Sequence, residues 1–199
     1  IERHEALQNL EAIIKETDAV MVARGDLGVE TPAEEVPVAQ KKMVKLANIY
    51  AKPVIVATEM LQSMIEKPRA TRAEVSDVAN AVFDHADAVM LSNETAVGKY
   101  PVEAVKTMTR VALNVEKFQS EHDLYKIWNN GKNLPDSLKI CHNASLRALE
   151  TEAKLIVAVT HTGYTAKAIS RQRTFTKMVA LTPSAVVKRQ LQLTWGLED

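Results

Sequence analysis

Asp18-Ala-Val-Met-Val-Ala23 is an apolar run too short for an ordinary helix and valine-rich enough for a strand, and the triplet Arg24-Gly25-Asp26 ends it. The same character returns at Pro53-Val-Ile-Val-Ala57 and Asp87-Ala-Val-Met-Leu91, about 34 residues further on each time. The first and third runs even share the tetrapeptide Asp-Ala-Val-Met. Such an interval holds one strand, one loop and one helix. The segments between carry helical periodicity, as in Val38, Met43, Val44, Leu46 and Ala47, so the pattern predicts βα units with parallel strands. Runs that are apolar throughout, rather than alternating, predict a sheet buried on both faces.

Thr71-Arg-Ala-Glu74 has the spacing of a capping box, in which Thr71 accepts from the Glu74 amide while Glu74 reaches back. A helix is therefore predicted from about Arg72 through Phe83, and another from Pro101 to about Glu121. Then the character changes: Asn129-Asn-Gly-Lys-Asn-Leu-Pro135 gathers turn formers without an apolar period and marks a linker. Beyond it a helix from about Ser137 to Thr151 and strands near Leu155–Val159 and Met178–Leu181 form a second α/β set. The boundary is expected near residue 125, giving domains of residues 1–124 and 125–199.

With 199 residues, 46% of them hydrophobic and 25% charged, the composition is that of a globular protein. Basic and acidic residues balance at 25 each, which argues against a general attraction to nucleic acid or to an anionic membrane. Anion binding must then be local. No run of about 18 apolar residues is present, and the first residues are charged rather than a signal-peptide core. The single cysteine, Cys141, cannot form an intrachain disulfide. These features read as a soluble, cytoplasmic protein. The start at Ile1, almost directly into an amphipathic helix, reads as a chain cut from something longer.

In parallel βα architectures the reactive groups lie on loops at the carboxyl ends of strands. Here those loops carry Arg24-Gly25-Asp26, Thr58-Glu59 and Ser92-Asn93-Glu94-Thr95. Ile1-Glu2 stands about 24 residues before Asp26, so Glu2 is expected to end a preceding strand, and four strand ends would share one rim. Two carboxylates there, Glu2 and Asp26, suit Mg2+, which takes a few carboxylates and completes its octahedron with water and substrate oxygens. Gly25 has no Cβ and lets an anion approach the backbone. A plainer reading stands beside this one, because an Asp after a strand often only caps a helix.

Taken together, Ile1-Glu2, Met21-Val-Ala-Arg-Gly-Asp-Leu-Gly-Val-Glu30, Lys52-Pro-Val-Ile-Val-Ala-Thr-Glu-Met-Leu61, Pro68-Arg-Ala-Thr-Arg-Ala-Glu74, Asp77-Val-Ala-Asn-Ala81 and Met90-Leu-Ser-Asn-Glu-Thr-Ala96 resemble pyruvate kinases. The resemblance covers nearly the whole chain and is densest from Ile1 to about Pro101. It implies an α/β protein: about the last three βα units of a (β/α)8 TIM barrel, followed by a separate, incomplete α/β carboxyl-terminal domain. It also implies phosphoryl transfer from phosphoenolpyruvate to ADP, giving pyruvate and ATP, with Mg2+ (or Mn2+) and K+. On this resemblance Glu2 and Asp26 are the metal ligands, and the Gly25 and Asp26 amides hold the substrate carboxylate. Thr58 contacts substrate near the enolate, and Ser92 belongs to the same rim. The family's lysine just before the Ile-Glu pair, its early strands and its K+ ligands lie outside this chain. The 199 residues alone are accordingly expected to be inactive. Asn93 stands where many relatives carry glycine. Another Mg2+-dependent barrel acting on pyruvate or its enolate, or a non-catalytic binding module, remain as alternatives.

Thr160-His-Thr-Gly-Tyr-Thr165 joins a predicted strand to a helix, and its hydroxyls, glycine and helix-start amides suit a phosphate. The loop resembles the family's effector site, which implies a sugar-phosphate ligand held by Thr160, Thr162, Gly163 and Thr165 and an allosteric homotetramer. A plain strand-to-helix turn is the alternative. The five histidines, His4, His85, His122, His142 and His161, show no metal-type pairing, and Trp128 and Trp195 read as packing residues.

Overall fold

The computed structural model describes residues 1–119 and 135–198. The chain divides into two compact units, Ile1–Phe118 and Gln119–Asp199. The expected boundary near residue 125, most of the Asn129–Pro135 linker, His122 and Trp128 lie outside the described residues.

In the first unit three strands form a parallel sheet, β1 (Val20–Ala23), β2 (Val54–Ala57) and β3 (Ala88–Met90), in the order β1-β2-β3. Valine and isoleucine favour the pleated backbone, and parallel pairing follows because a helix carries the chain back between successive strands. Short helices α1 (His4–Gln8) and α2 (Leu10–Glu16) precede β1, and α3 (Arg24–Glu30) leaves it directly. The crossovers are α4 (Val36–Ile49) and α5 (Arg72–Phe83), while α6 (Asn93–Ala96) and α7 (Pro101–Phe118) follow β3. Ile1 lies along the outer edge of β1, its nitrogen donating to the Met21 carbonyl (2.6 Å) and its carbonyl accepting from the Ala23 amide (3.2 Å). Leu10, Ile14, Val22, Met43, Val44, Val54, Val56, Met64, Val78 and Ala81 make the core.

Helix α5 starts as predicted. Thr71 accepts from the Glu74 amide, and Glu74 accepts from the Thr71 amide. The same carboxylate also takes the amide and hydroxyl of Ser63, both at 2.6 Å. Burial alone would push the Glu74 carboxyl up, but the Ser63 and Thr71 donors outweigh it and hold the group below its ordinary range. Two expectations change. Val38 is 68% exposed, because the buried stripe of α4 runs through Ala39, Gln40, Met43, Val44, Ala47 and Asn48, on the opposite face. Nor is the sheet evenly covered on both faces, since Met21 in the middle of β1 is 40% exposed.

The second unit holds β4 (Leu155–Val159), β5 (Lys177–Leu181) and β6 (Leu197–Glu198), also parallel and in chain order. Helix α8 (Asp136–Glu150) buries Leu138, Cys141, Ser145 and Ala148 at helical spacing, packs on α9 (Tyr164–Ser170), and α10 (Ala185–Leu191) follows β5. Cys141 is a free, buried thiol, and burial pushes it up against the opposing pull of Arg171. Strand β6, two residues long, carries no periodic signal and is absent from the sequence prediction. One face of β4 is uncovered, with Val159 74% exposed.

Candidate active site

The register of the first sheet pairs Ala23 with Ala57 and Ala57 with Met90, so the chain leaves all three strands at one edge. Arg24-Gly25-Asp26, Thr58-Glu59 and Ser92 follow at that edge, and the bond from Ala23 to the Ile1 carbonyl brings Glu2 beside them. The residues expected on one rim are thus brought to one edge of the sheet. What joins the members of that rim comes from residues not singled out in the sequence.

Arg24, its side chain only 10% exposed, is the centre of the rim. Its Nη2 donates to the Thr58 carbonyl (2.7 Å) and Nη1 to the Asp77 carboxylate (2.7 Å), with a longer bond from Nε to the Ala57 carbonyl (3.4 Å). Nη1 also reaches Gln40 (3.4 Å). One guanidinium thus ties the β1 exit to the β2 exit, to α4 and to α5, using the forked geometry that lysine lacks. The backbone it holds is strained. Thr58 has φ 70° and Glu59 φ 54°, left-handed values that an L-residue adopts at a cost of roughly 1–2 kcal/mol each, and Thr58 is β-branched besides. Strain of this kind persists only where the surroundings over-determine it, and it clusters at functional sites.

Thr58 is pinned on its side chain too. Its hydroxyl accepts the Gly25 amide (2.8 Å) and donates to the Ala57 carbonyl (2.6 Å). The Gly25 amide is therefore already engaged, and a ligand carboxylate on it would displace the Thr58 hydroxyl. Asp26 sits in the first turn of α3, where the helical pattern offers its amide no acceptor. A Cβ on Gly25 would stand 3.5 Å from Thr58 Oγ1, an ordinary contact.

Glu2 and Asp26 are exposed at the rim, and neither enters an ion pair among the described residues. No group of three or more His, Cys, Asp or Glu side chains is arranged for a metal among the described residues. Two carboxylates with water and ligand oxygens are, however, the donor set a hard cation such as Mg2+ accepts. The donor chemistry fits. Ser92 precedes α6 and is half-buried, and its amide donates to Glu94 (2.9 Å). Arg24 and Glu94 went unnoticed in the sequence as organisers. The available signal was a charged residue within a few positions of an apolar strand, repeated at the ends of β1 and β3, the two strands that flank β2.

In the second unit the Thr160 amide continues the β4–β5 ladder to the Leu181 carbonyl (2.9 Å), and its hydroxyl accepts the Gly163 amide (3.0 Å). Gly163 has φ 84°, and a Cβ there would stand 3.2 Å from both Val187 and Leu191. The turn itself accounts for Thr160 and Gly163, whereas Thr162 is exposed and Thr165 half-buried at the start of α9. Trp195 packs edge-on against Phe175 and under the Arg173 guanidinium.

A parallel βα sheet with one polar rim, followed by a second α/β unit, defines part of a (β/α)8-barrel protein with an appended domain. Residues 1–105 match the family described as pyruvate kinase, barrel domain, and residues 139–199 match pyruvate kinase, alpha/beta domain. The chain belongs to the pyruvate kinase family. It is 48% identical to pyruvate kinase 2 of Synechocystis over 198 residues, covering 100% of this chain and 33% of that protein. With the pyruvate kinase of Clostridium acetobutylicum it shares 45% identity over 203 residues, 99% of this chain and 42% of the relative. A crystal structure of a pyruvate kinase from Cryptosporidium parvum superposes with a TM-score of 0.95 at 43% identity, over 100% of this chain and 40% of that one. The chain thus spans about a third to two fifths of the length of the relatives it matches.

Proposed function

We propose that the whole protein transfers a phosphoryl group from phosphoenolpyruvate to ADP, giving pyruvate and ATP, and that this rim is its substrate side. Family membership supports the reaction, and the bond between the Gly25 amide and the Thr58 hydroxyl carries the site. That bond sets a backbone donor and a side-chain hydroxyl from two strand exits against each other, where a small carboxylate or enolate can exchange with it. Glu2 and Asp26 would hold Mg2+ or Mn2+, which would neutralise phosphate and enolate charge. The K+ ligands fall outside this chain. The Asp26 amide, with that of Gly25 once released, receives the substrate carboxylate. Thr58 then lies near the reacting carbon and oxygen, and Ser92 borders the same space.

Two further parts of the reading rest on composition, a domain boundary near residue 125 and a cytoplasmic location, and two rest on the resemblance, a homotetramer and a sugar-phosphate effector at Thr160–Thr165. Replacing Asp26 by Ala in the whole protein is expected to lower phosphoenolpyruvate-dependent ATP formation at least about a hundredfold without loss of fold, the scale at which a charge-stabilising group is removed. Activity close to wild type in a coupled ATP assay would remove Asp26 from the site. The 199 residues alone are expected to show no turnover.

A further inference from the structure

Glu94 is a carboxylate only 1% exposed, with no ion-pair partner among the described residues. Burying a charged group away from water is costly unless it is fully hydrogen-bonded, so its partners show what it is for. Both are backbone amides, one from each of two neighbouring strand exits. Oε1 accepts from Leu61 (3.0 Å), three residues beyond Thr58 in the β2 exit loop, and Oε2 accepts from Ser92 (2.9 Å), at the end of β3. The backbone that carries Glu94 is closely packed as well. Gly98 folds back so closely that a Cβ there would stand 2.4 Å from the Glu94 carbonyl, while its own amide bonds to Asn93 (2.9 Å).

We infer that Glu94 is a positioning residue, a buried bridge that fixes Ser92 relative to the Thr58 loop by holding one amide of each. The inference rests on the function proposed above only for its effect on turnover. Arg24 holds the first half of the β2 exit through the Thr58 and Ala57 carbonyls. Glu94 holds the second half through Leu61. A cation fastens carbonyls and an anion fastens an amide, so the two charges cannot exchange roles. Each receives the polarity that its stretch of backbone presents.

The test is Glu94→Gln in the whole protein. The amide keeps the shape of the carboxylate but retains one acceptor, and its NH2 opposes the other backbone N–H. We expect kcat to fall about 10- to 100-fold, the loss that a misplacement on the order of an ångström produces, with KM for ADP within twofold. Amide hydrogen exchange at Leu61 or Ser92 should accelerate at least tenfold, while the core amides of β2 stay protected. A purely packing role predicts neither change, so a variant within twofold of wild type in kcat and unaltered in exchange overturns the inference. Should Glu94→Gln fail to fold, exchange in the wild type decides: slow exchange at both amides supports the bridge, and fast exchange at either overturns it. If the wild-type protein forms no ATP from phosphoenolpyruvate, the proposed reaction fails, and the exchange comparison alone judges Glu94.

Discussion

The exits of β2 and β4 solve the same problem in opposite ways. Each is a threonine directly after an apolar strand, and each chain must turn through a left-handed backbone conformation. At β4 the left-handed residue is Gly163, which adopts φ 84° without a Cβ penalty, and the Thr160 hydroxyl satisfies the turn from within. At β2 the left-handed residues are Thr58 and Glu59, and the turn is held from outside by Arg24 and Glu94. A turn that satisfies itself needs nothing from the rest of the fold. One that stores strain and recruits charges from neighbouring strand ends depends on the rest of the first unit for its shape.

Removing the outside support should have the largest effect. Arg24→Leu leaves Asp77 without its cation and takes the guanidinium donor from the Thr58 carbonyl, and is expected to cost about 3 kcal/mol, read as a lower thermal midpoint for the first unit. Arg24→Lys should recover less than half, since an ammonium lacks the fork. Full recovery by lysine would show that charge alone suffices. Next comes Gly163→Ala, which adds a left-handed penalty and contacts at 3.2 Å, and should destabilise the second unit by about 2 kcal/mol.

The mirror experiment at β2 should act in the other direction. Glu59→Gly relieves about 1–2 kcal/mol of left-handed strain and loses about 0.5–1 kcal/mol to the freer unfolded chain, for a net gain on the order of 0.5 kcal/mol. A clear loss of stability would mean that the Glu59 side chain has a role of its own. Smallest in stability is Thr165→Glu, which places a carboxylate at the start of α9. Basal turnover of the whole protein should be unchanged, and activation by sugar phosphates should vanish. A normal response would leave the β4 exit as a turn only.

Much of this was legible beforehand. The strands at Asp18–Ala23, Pro53–Ala57 and Asp87–Leu91 contain β1, β2 and β3, and the Thr71–Glu74 spacing placed the start of α5 at Arg72. Periodicity and capping are local signals, so they report local structure well. The positions Glu2, Gly25, Asp26, Thr58 and Ser92 were likewise brought to one edge, because strand ends follow from strands. Arg24 and Glu94 were not legible as organisers, since the Thr58, Ala57 and Asp77 partners of Arg24 and the Leu61 partner of Glu94 lie on other βα units, and a charge beside a strand end does not by itself name them. The exposure of Val38 shows the opposite failure: it was counted with Met43, Val44 and Ala47 in the helical period, although its angular position puts it on the outer face.

The bonds that hold the β2 exit share one sequence interval. Arg24 to Thr58 spans 34 residues, Gly25 to Thr58 spans 33 and Leu61 to Glu94 spans 33, and the strand-start bond from Val54 to Asp87 also spans 33. Each βα unit is therefore a loop of nearly constant length, and loop-closure entropy, which grows only as the logarithm of length, is nearly the same at every step. The β2 exit meets two such loops, one closed at Thr58 by Arg24 from the preceding unit and one closed at Leu61 by Glu94 from the following unit. During folding the corner can rest in relaxed backbone conformations until both closures are complete. Its strain is therefore expected to relax when either neighbouring closure opens.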